Sequence, residues 1–194
     1  MIVVADDGPW LIVGLGNPGP GYAATRHNAG FLVLDELADR VGAAFRSHKS
    51  RAEVIETHLS GHRVVLAKPK SYMNESGGPV ASLRTFYKTP IEQLVVVHDE
   101  IDLEPGTLRV KLGGGDNGHN GLRSLRRSLG SGEFFRVRFG VGRPPGRQDP
   151  ADFVLRPFTA AERKELPLQL DRAADATESL LSDGLAATQN RFND

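Results

Sequence analysis

Six of the eight residues from 14 to 21 are glycine or proline, and they directly follow the apolar triplet Leu11, Ile12 and Val13. Consecutive apolar, β-branched residues suit a strand covered on both faces. The glycines and prolines then forbid any regular element from continuing. Ala29, Phe31, Leu34, Leu37, Ala38 and Val41 recur near helical spacing, with Asn28 placed to cap the helix. Any fold for this chain must therefore pass from strand to broken loop to helix, with Arg26, His27 and Asn28 at the loop's far end. One histidine is thereby presented at the mouth of a sheet, where reactive groups are commonly displayed.

Gly14-Leu15-Gly16-Asn17-Pro18-Gly19 also satisfies the dinucleotide pattern G-x-G-x-x-G, and Asp35 lies about 20 residues on, near the place of the ribose-binding acid. That pattern works only if the third glycine opens a helix whose first amides receive a pyrophosphate. Pro18 lacks an N–H, and Pro20-Gly21 stand where that helix should be running. The residues argue against a nicotinamide or flavin cofactor.

A chain of 194 residues is long enough for one substantial core, and with no linker-like segment it reads as a single domain over 1–194. Residues 1–8 read as a weakly ordered extension, without the basic and apolar regions of a signal peptide. No run approaches the roughly 20 apolar residues of a membrane span. The absence of cysteine excludes disulfides, thiolate metal sites and cysteine nucleophiles, and fits a reducing cytoplasm. Basic and acidic residues balance at 24 each, but residues 105–147 hold nine of the former against Asp116 and Glu133. An excess of seven positive charges there suggests an anionic partner met by one part of the molecule.

Further along, residues 51–59 and 62–67 read as a hairpin joined at Ser60-Gly61, and Val80, Leu83, Phe86 and Tyr87 as a helix ending before Pro90. Residues 94–97 form a buried-looking strand that empties into His98-Asp99-Glu100. Residues 107–111 alternate like an edge strand, a second glycine-rich loop over 113–121 feeds a helix over about 122–129, and residues 135–141 read as another strand. Thr159-Ala160-Ala161-Glu162 is a capping box that opens a helical tail. The expected fold is an α/β three-layer sandwich with a mixed, mostly parallel twisted sheet, helices on both faces and C-terminal helices. Ligands bind such folds at the carboxyl ends of the strands, where Asn17 to Asn28, Asp99, His119 and Asn120 should collect. His48, His58, His62 and His98 read as surface or packing residues.

Four ordered motifs together resemble bacterial-type peptidyl-tRNA hydrolases. They are the first glycine loop with Tyr22 and Thr25-Arg26-His27-Asn28-Ala29-Gly30; Lys68-Pro69-Lys70-Ser71-Tyr72-Met73-Asn74-Glu75-Ser76-Gly77; His98-Asp99-Glu100; and Gly118-His119-Asn120-Gly121-Leu122. The resemblance covers essentially residues 10–181. It implies hydrolysis of the ester that joins a peptide to the terminal ribose of tRNA, with His27 as general base and Asp99 as the carboxylate that orients it. It further implies that Asn17, Asn74 and Asn120 bind substrate and stabilise the oxyanion, that Met73 lines the peptide channel, and that Tyr22 and His119 belong to the site. Lys111, Arg138 and Arg143 would meet tRNA phosphates. Neither cofactor nor metal is implied, nor any obligate protein partner, and the expected state is a cytoplasmic monomer.

Two other classes stay open on the residues. A noncatalytic RNA-binding protein could use the same scaffold, since fold does not secure activity; the joint presence of His27, Asp99, Asn17 and Asn74 favours catalysis. A dinucleotide-dependent oxidoreductase would show nicotinamide binding or flavin absorbance. Asp116, inside the second glycine loop, is an acid near the expected phosphate path.

Overall fold

The computed structural model describes residues 8–194. A seven-stranded sheet organises them, comprising β1 (Trp10–Gly14), β2 (Arg46–His48), β3 (Ala52–Leu59), β4 (His62–Pro69), β5 (Leu94–Glu100), β6 (Leu108–Leu112) and β7 (Phe135–Gly140). Their order is β2-β3-β4-β1-β5-β7-β6. The four central strands β4, β1, β5 and β7 are parallel, while β2, β3 and β6 pair antiparallel with their neighbours at the two flanks. The hairpin and the edge strand expected from sequence thus stand on opposite sides of a parallel centre.

Six helices accompany the sheet among the described residues: α1 (Ala29–Val41), α2 (Gly77–Tyr87), α3 (Asn120–Leu129), α4 (Pro150–Val154), α5 (Ala160–Ser182) and α6 (Leu185–Phe192). Strand side chains alternate between two cores, as the pleat requires. Ile12, Val64, Leu66, Val95 and Val97 face the helices α1, α5 and α6, whereas Leu11, Val13, Val65, Leu94 and Val96 face α2 and α3. Each such side chain is withdrawn from water, which stabilises the sandwich by about 1.5–3 kcal/mol per large aliphatic residue.

Close backbone approach brings the loop ends over the strands. A Cβ on Gly30 would lie 2.3 Å from the Val97 carbonyl oxygen, and one on Gly14 would lie 2.4 Å from the Gly30 carbonyl oxygen. Only glycine lets the start of α1 sit directly on the ends of β1 and β5. In this way His27 arrives above the strand that carries Asp99.

Several local expectations are revised. Asn28 makes no side-chain cap to α1; its amide is spent on Asn17, as described below. The second glycine loop yields to α3 at Asn120, two residues earlier than periodicity indicates, because the His119 side chain caps it. The tail divides at Gly184 into α5 and α6. Of the extension expected to be weakly ordered, residues 1–7 lie outside the described residues, but Gly8 is tied down. Its N–H donates to Lys88 O at 3.3 Å and its carbonyl accepts from Gln93 Nε2 at 2.7 Å. No helix among the described residues is long and apolar enough to cross a membrane.

Candidate active site

β1 and β5 run side by side, with Gly14 opposite Val97, so the segments that leave their carboxyl ends share one rim. A single helical turn over residues 26–28 holds His27, and the last residues of β5 hold Asp99. His27 Nδ1 lies 3.0 and 2.9 Å from the two carboxylate oxygens of Asp99. From the N-cap of α3, His119 Nε2 donates to Asp99 Oδ1 at 2.8 Å. The backbone N–H groups of Gly121 and Leu122 donate to His119 Nδ1, which assigns the His119 proton to Nε2. Asp99 therefore accepts from two imidazoles, and His27 keeps Nε2 for something else.

Burial disfavours the charged form of Asp99, yet the two imidazoles that bond it hold the carboxyl well below the ordinary carboxylate range. Burial likewise opposes the imidazolium of His27, but the charge and hydrogen bond of Asp99 outweigh it and raise its pKa above the ordinary 6.5. His98 is fully buried behind this pair; burial and the neighbouring His119 push it down to about 3, so it packs as a neutral ring. One ligand atom from each of His27, Asp99 and His119 also falls within a 4.8 Å cluster. The proton on His119 Nε2 occupies the lone pair a metal would need, so the geometry is that of a hydrogen-bonded relay.

The cleft above this trio has a volume of about 100 Å³, and its lining includes His27, Asp99, Asn117, Asn120, Pro150 and Val154. The first glycine loop does not line this cleft: Asn17, Pro18 and Gly19 line a separate cavity with Asn28, Phe31 and Lys68. The Met73 N–H donates to Asn17 Oδ1 at 2.7 Å, which leaves the Asn17 Nδ2 to donate elsewhere. Asn28 closes a reciprocal pair on the Asn17 backbone, accepting from its N–H and donating to its carbonyl, both at 2.9 Å. Met73 is buried, and its sulfur lies where a Cβ on Gly121 would be 2.6 Å away. This packing brings the turn over 73–75 against the start of α3, with Asn74 and Asn120 both exposed. Tyr22 stacks edge-on against Tyr72 at 6.5 Å, and Tyr72 is 57% exposed.

The glycine pattern of residues 14–19 opens no helix, since α1 starts ten residues beyond Gly19. Gly16 instead faces the Phe31 ring. This geometry corrects any dinucleotide interpretation at its root: there is no helix N-terminus to receive a pyrophosphate.

The basic stretch is less of a free surface than its charge suggests. Arg136 is buried and donates to the carbonyls of Gly114, Gly115 and Gly132, stapling the second glycine loop; burial and nearby arginines push it down to about 10. Arg138 pairs with Glu100 at 2.6 Å and Arg143 with Asp102 at 2.6 Å. Asp116 accepts from the Gly118 N–H and pairs with Arg126 at 3.2 Å. Lys111 is half-buried beside Gly114, and its pKa is lowered by burial and by Arg138 and Arg136. Glu100 is the acid that a charge count over residues 105–147 leaves out, and it pairs with Arg138 from the adjacent strand β5.

Comparisons with known proteins follow the same lines. The profile of the peptidyl-tRNA hydrolase family matches residues 11–194. The chain is 61% identical over 191 residues to a peptidyl-tRNA hydrolase of Frankia alni, covering 98% of this chain and 97% of that one. It is 57% identical to that of Streptomyces coelicolor, with both chains fully covered. The crystal structure of peptidyl-tRNA hydrolase from Acinetobacter baumannii superposes with a TM-score of 0.88 at 38% identity, over 94% of this chain and 93% of that one. On sequence and fold together, the chain belongs to the peptidyl-tRNA hydrolase family and is an enzyme of that family.

Proposed function

We propose that this enzyme hydrolyses the ester between a peptide and the 3′-terminal ribose of tRNA, with His27 as general base on water. The observation that carries this reading is the double acceptance by Asp99: it fixes the proton of His27 on Nδ1 and turns Nε2 toward the cleft. Water gives its proton to Nε2 while its oxygen attacks the ester carbonyl, and Asp99 stabilises the imidazolium that forms. The carbonyl electrons move to oxygen, where amide donors of Asn17, Asn74 and Asn120 meet the developing charge. Collapse of that intermediate breaks the bond to the ribose oxygen, which takes the proton from His27 Nε2 and leaves as the hydroxyl, returning His27 to its neutral form. An ester is activated enough that no step calls for a metal or cofactor.

Met73 supplies an adaptable apolar contact to the peptide, Tyr22 flanks it, and His119 shares Asp99 with the base. Lys111, Arg138 and Arg143 serve as phosphate contacts, the two arginines by exchanging their carboxylate partners for phosphate. The enzyme works as a cytoplasmic monomer. Contacts of this kind position tRNA and carry little sequence information. We expect Lys111→Glu to raise KM while sparing kcat, and to flatten the rise of KM with salt. A salt response equal to the parent's would remove Lys111 from the tRNA surface.

The test of function is incubation with N-acetyl-aminoacyl-tRNA and, in parallel, unblocked aminoacyl-tRNA. Release from the blocked ester and far slower release from the free one supports the hydrolase. No release from either, with tRNA bound, would favour a noncatalytic RNA-binding protein.

A further inference from the structure

We propose that Arg26 is a positioning residue: its guanidinium, held between Glu162 and Phe153, locks the turn that carries His27 onto the α4–α5 segment. This inference rests on His27 acting as the base.

Arg26 is only 5% exposed and does not reach the cleft lining. Its Nη2 and Nε donate to the two carboxylate oxygens of Glu162 at 2.7 and 3.4 Å, and its Nη1 donates to the Phe153 carbonyl at 3.1 Å. The guanidinium carbon sits 3.9 Å from the centre of the Phe153 ring. The backbone repeats the connection, with Arg26 N–H donating to Arg156 O and Phe158 N–H donating to Ala24 O. Every one of these partners lies between residues 153 and 162. Pro150 and Val154, from α4, line the same cleft as His27 and Asp99.

A buried ion pair is weak evidence for stability, since apolar side chains of similar volume pack as well at lower desolvation cost. What a planar fork adds is a fixed geometry. Here the fixed object is the peptide unit adjoining His27, whose ring must hold a 2.9 Å bond to Asp99. The charged or titratable groups that share the cleft with His27 are Asp99 and Glu100 from β5, Glu100 being paired with Arg138, and His119, the N-cap of α3; α4 lines the cleft with uncharged residues. Loosening the clamp therefore acts on the base through its bond to Asp99.

Glu162 also accepts from the Thr159 N–H in the capping box of α5, which supplies a clean control. Glu162→Gln keeps an oxygen for that cap but removes the charge that holds Arg26. Thr159→Ala weakens the cap and leaves the clamp. With N-acetyl-aminoacyl-tRNA as substrate, we expect Glu162→Gln to lower kcat about tenfold, leave KM largely unchanged, and move the acidic limb of the pH–rate profile to lower pH. Arg26→Lys should move both readouts the same way. Thr159→Ala should lower the melting temperature while keeping the parental kcat and limb. Parental kcat and pH profile in a folded Glu162→Gln enzyme would overturn the positioning role, as would equal kinetic losses in Thr159→Ala. Were His27→Ala itself fully active, the assignment of the base would fall, a result distinct from either.

Discussion

Replacing His27 by alanine is expected to abolish nearly all turnover of N-acetyl-aminoacyl-tRNA while leaving its binding close to parental. Removing a general base of this kind costs on the order of 10²–10⁴ in rate, and no neighbour is placed to substitute. His119 is the nearest ring, at 4.9 Å, but its Nδ1 is taken by two backbone N–H groups and its Nε2 proton by Asp99. His98 is fully buried and packs as a neutral ring. The side chain lies in a one-turn helix outside both apolar cores, so the fold should survive. The check is single-turnover hydrolysis beside equilibrium binding of the same substrate. Parental hydrolysis would show that another group deprotonates water.

Asp99→Asn is expected to cost turnover on the order of a hundredfold, less than loss of the base because the asparagine still fills the site. A carboxylate accepts from both imidazoles at once; an amide offers one oxygen and turns two N–H donors toward the other ring. One imidazole must then change tautomer or lose its bond. The sign of the accompanying pH effect follows from the forces on His27. In the parent, burial lowers its pKa and Asp99 more than compensates, so the base is raised above 6.5. Without the carboxylate only the lowering force remains. The acidic limb should therefore move to lower pH even as the plateau rate falls.

Much of this site could be read in the chain because its parts are local. The apolar triplet, the glycine-proline loop and the helical spacing after Asn28 place His27 at a strand mouth, and the apolar run of β5 places Asp99 at the carboxyl end of a strand; that the two meet was implied only by the family resemblance. What escaped depended on partners distant in sequence. Asn28 could cap α1 or bond the Asn17 backbone, and only the folded loop chooses between them. The significance of Arg26 requires Glu162, 136 residues away. Charge counting could not separate Arg136, whose burial answers three loop carbonyls, from an arginine facing solvent. The three-residue β2 has an exposed polar sequence with no alternation to detect. The sequence reading has no counterpart to α4: Asp149 as N-cap and Pro150 in its first turn are the local signal for it, and a five-residue helix is too short for periodicity to reinforce them.

The central claim is that the Asp99 carboxylate tunes and aims His27 as a base toward water. Its most direct test is the pH dependence of kcat/KM for N-acetyl-aminoacyl-tRNA in the parent and in Asp99→Asn. One ionisation above 6.5 in the parent, activity rising as that group loses its proton, and a downward displacement of the limb in the variant are the predicted result. A parental limb at or below 6.5, or a limb that does not move when the carboxylate is removed, would contradict it.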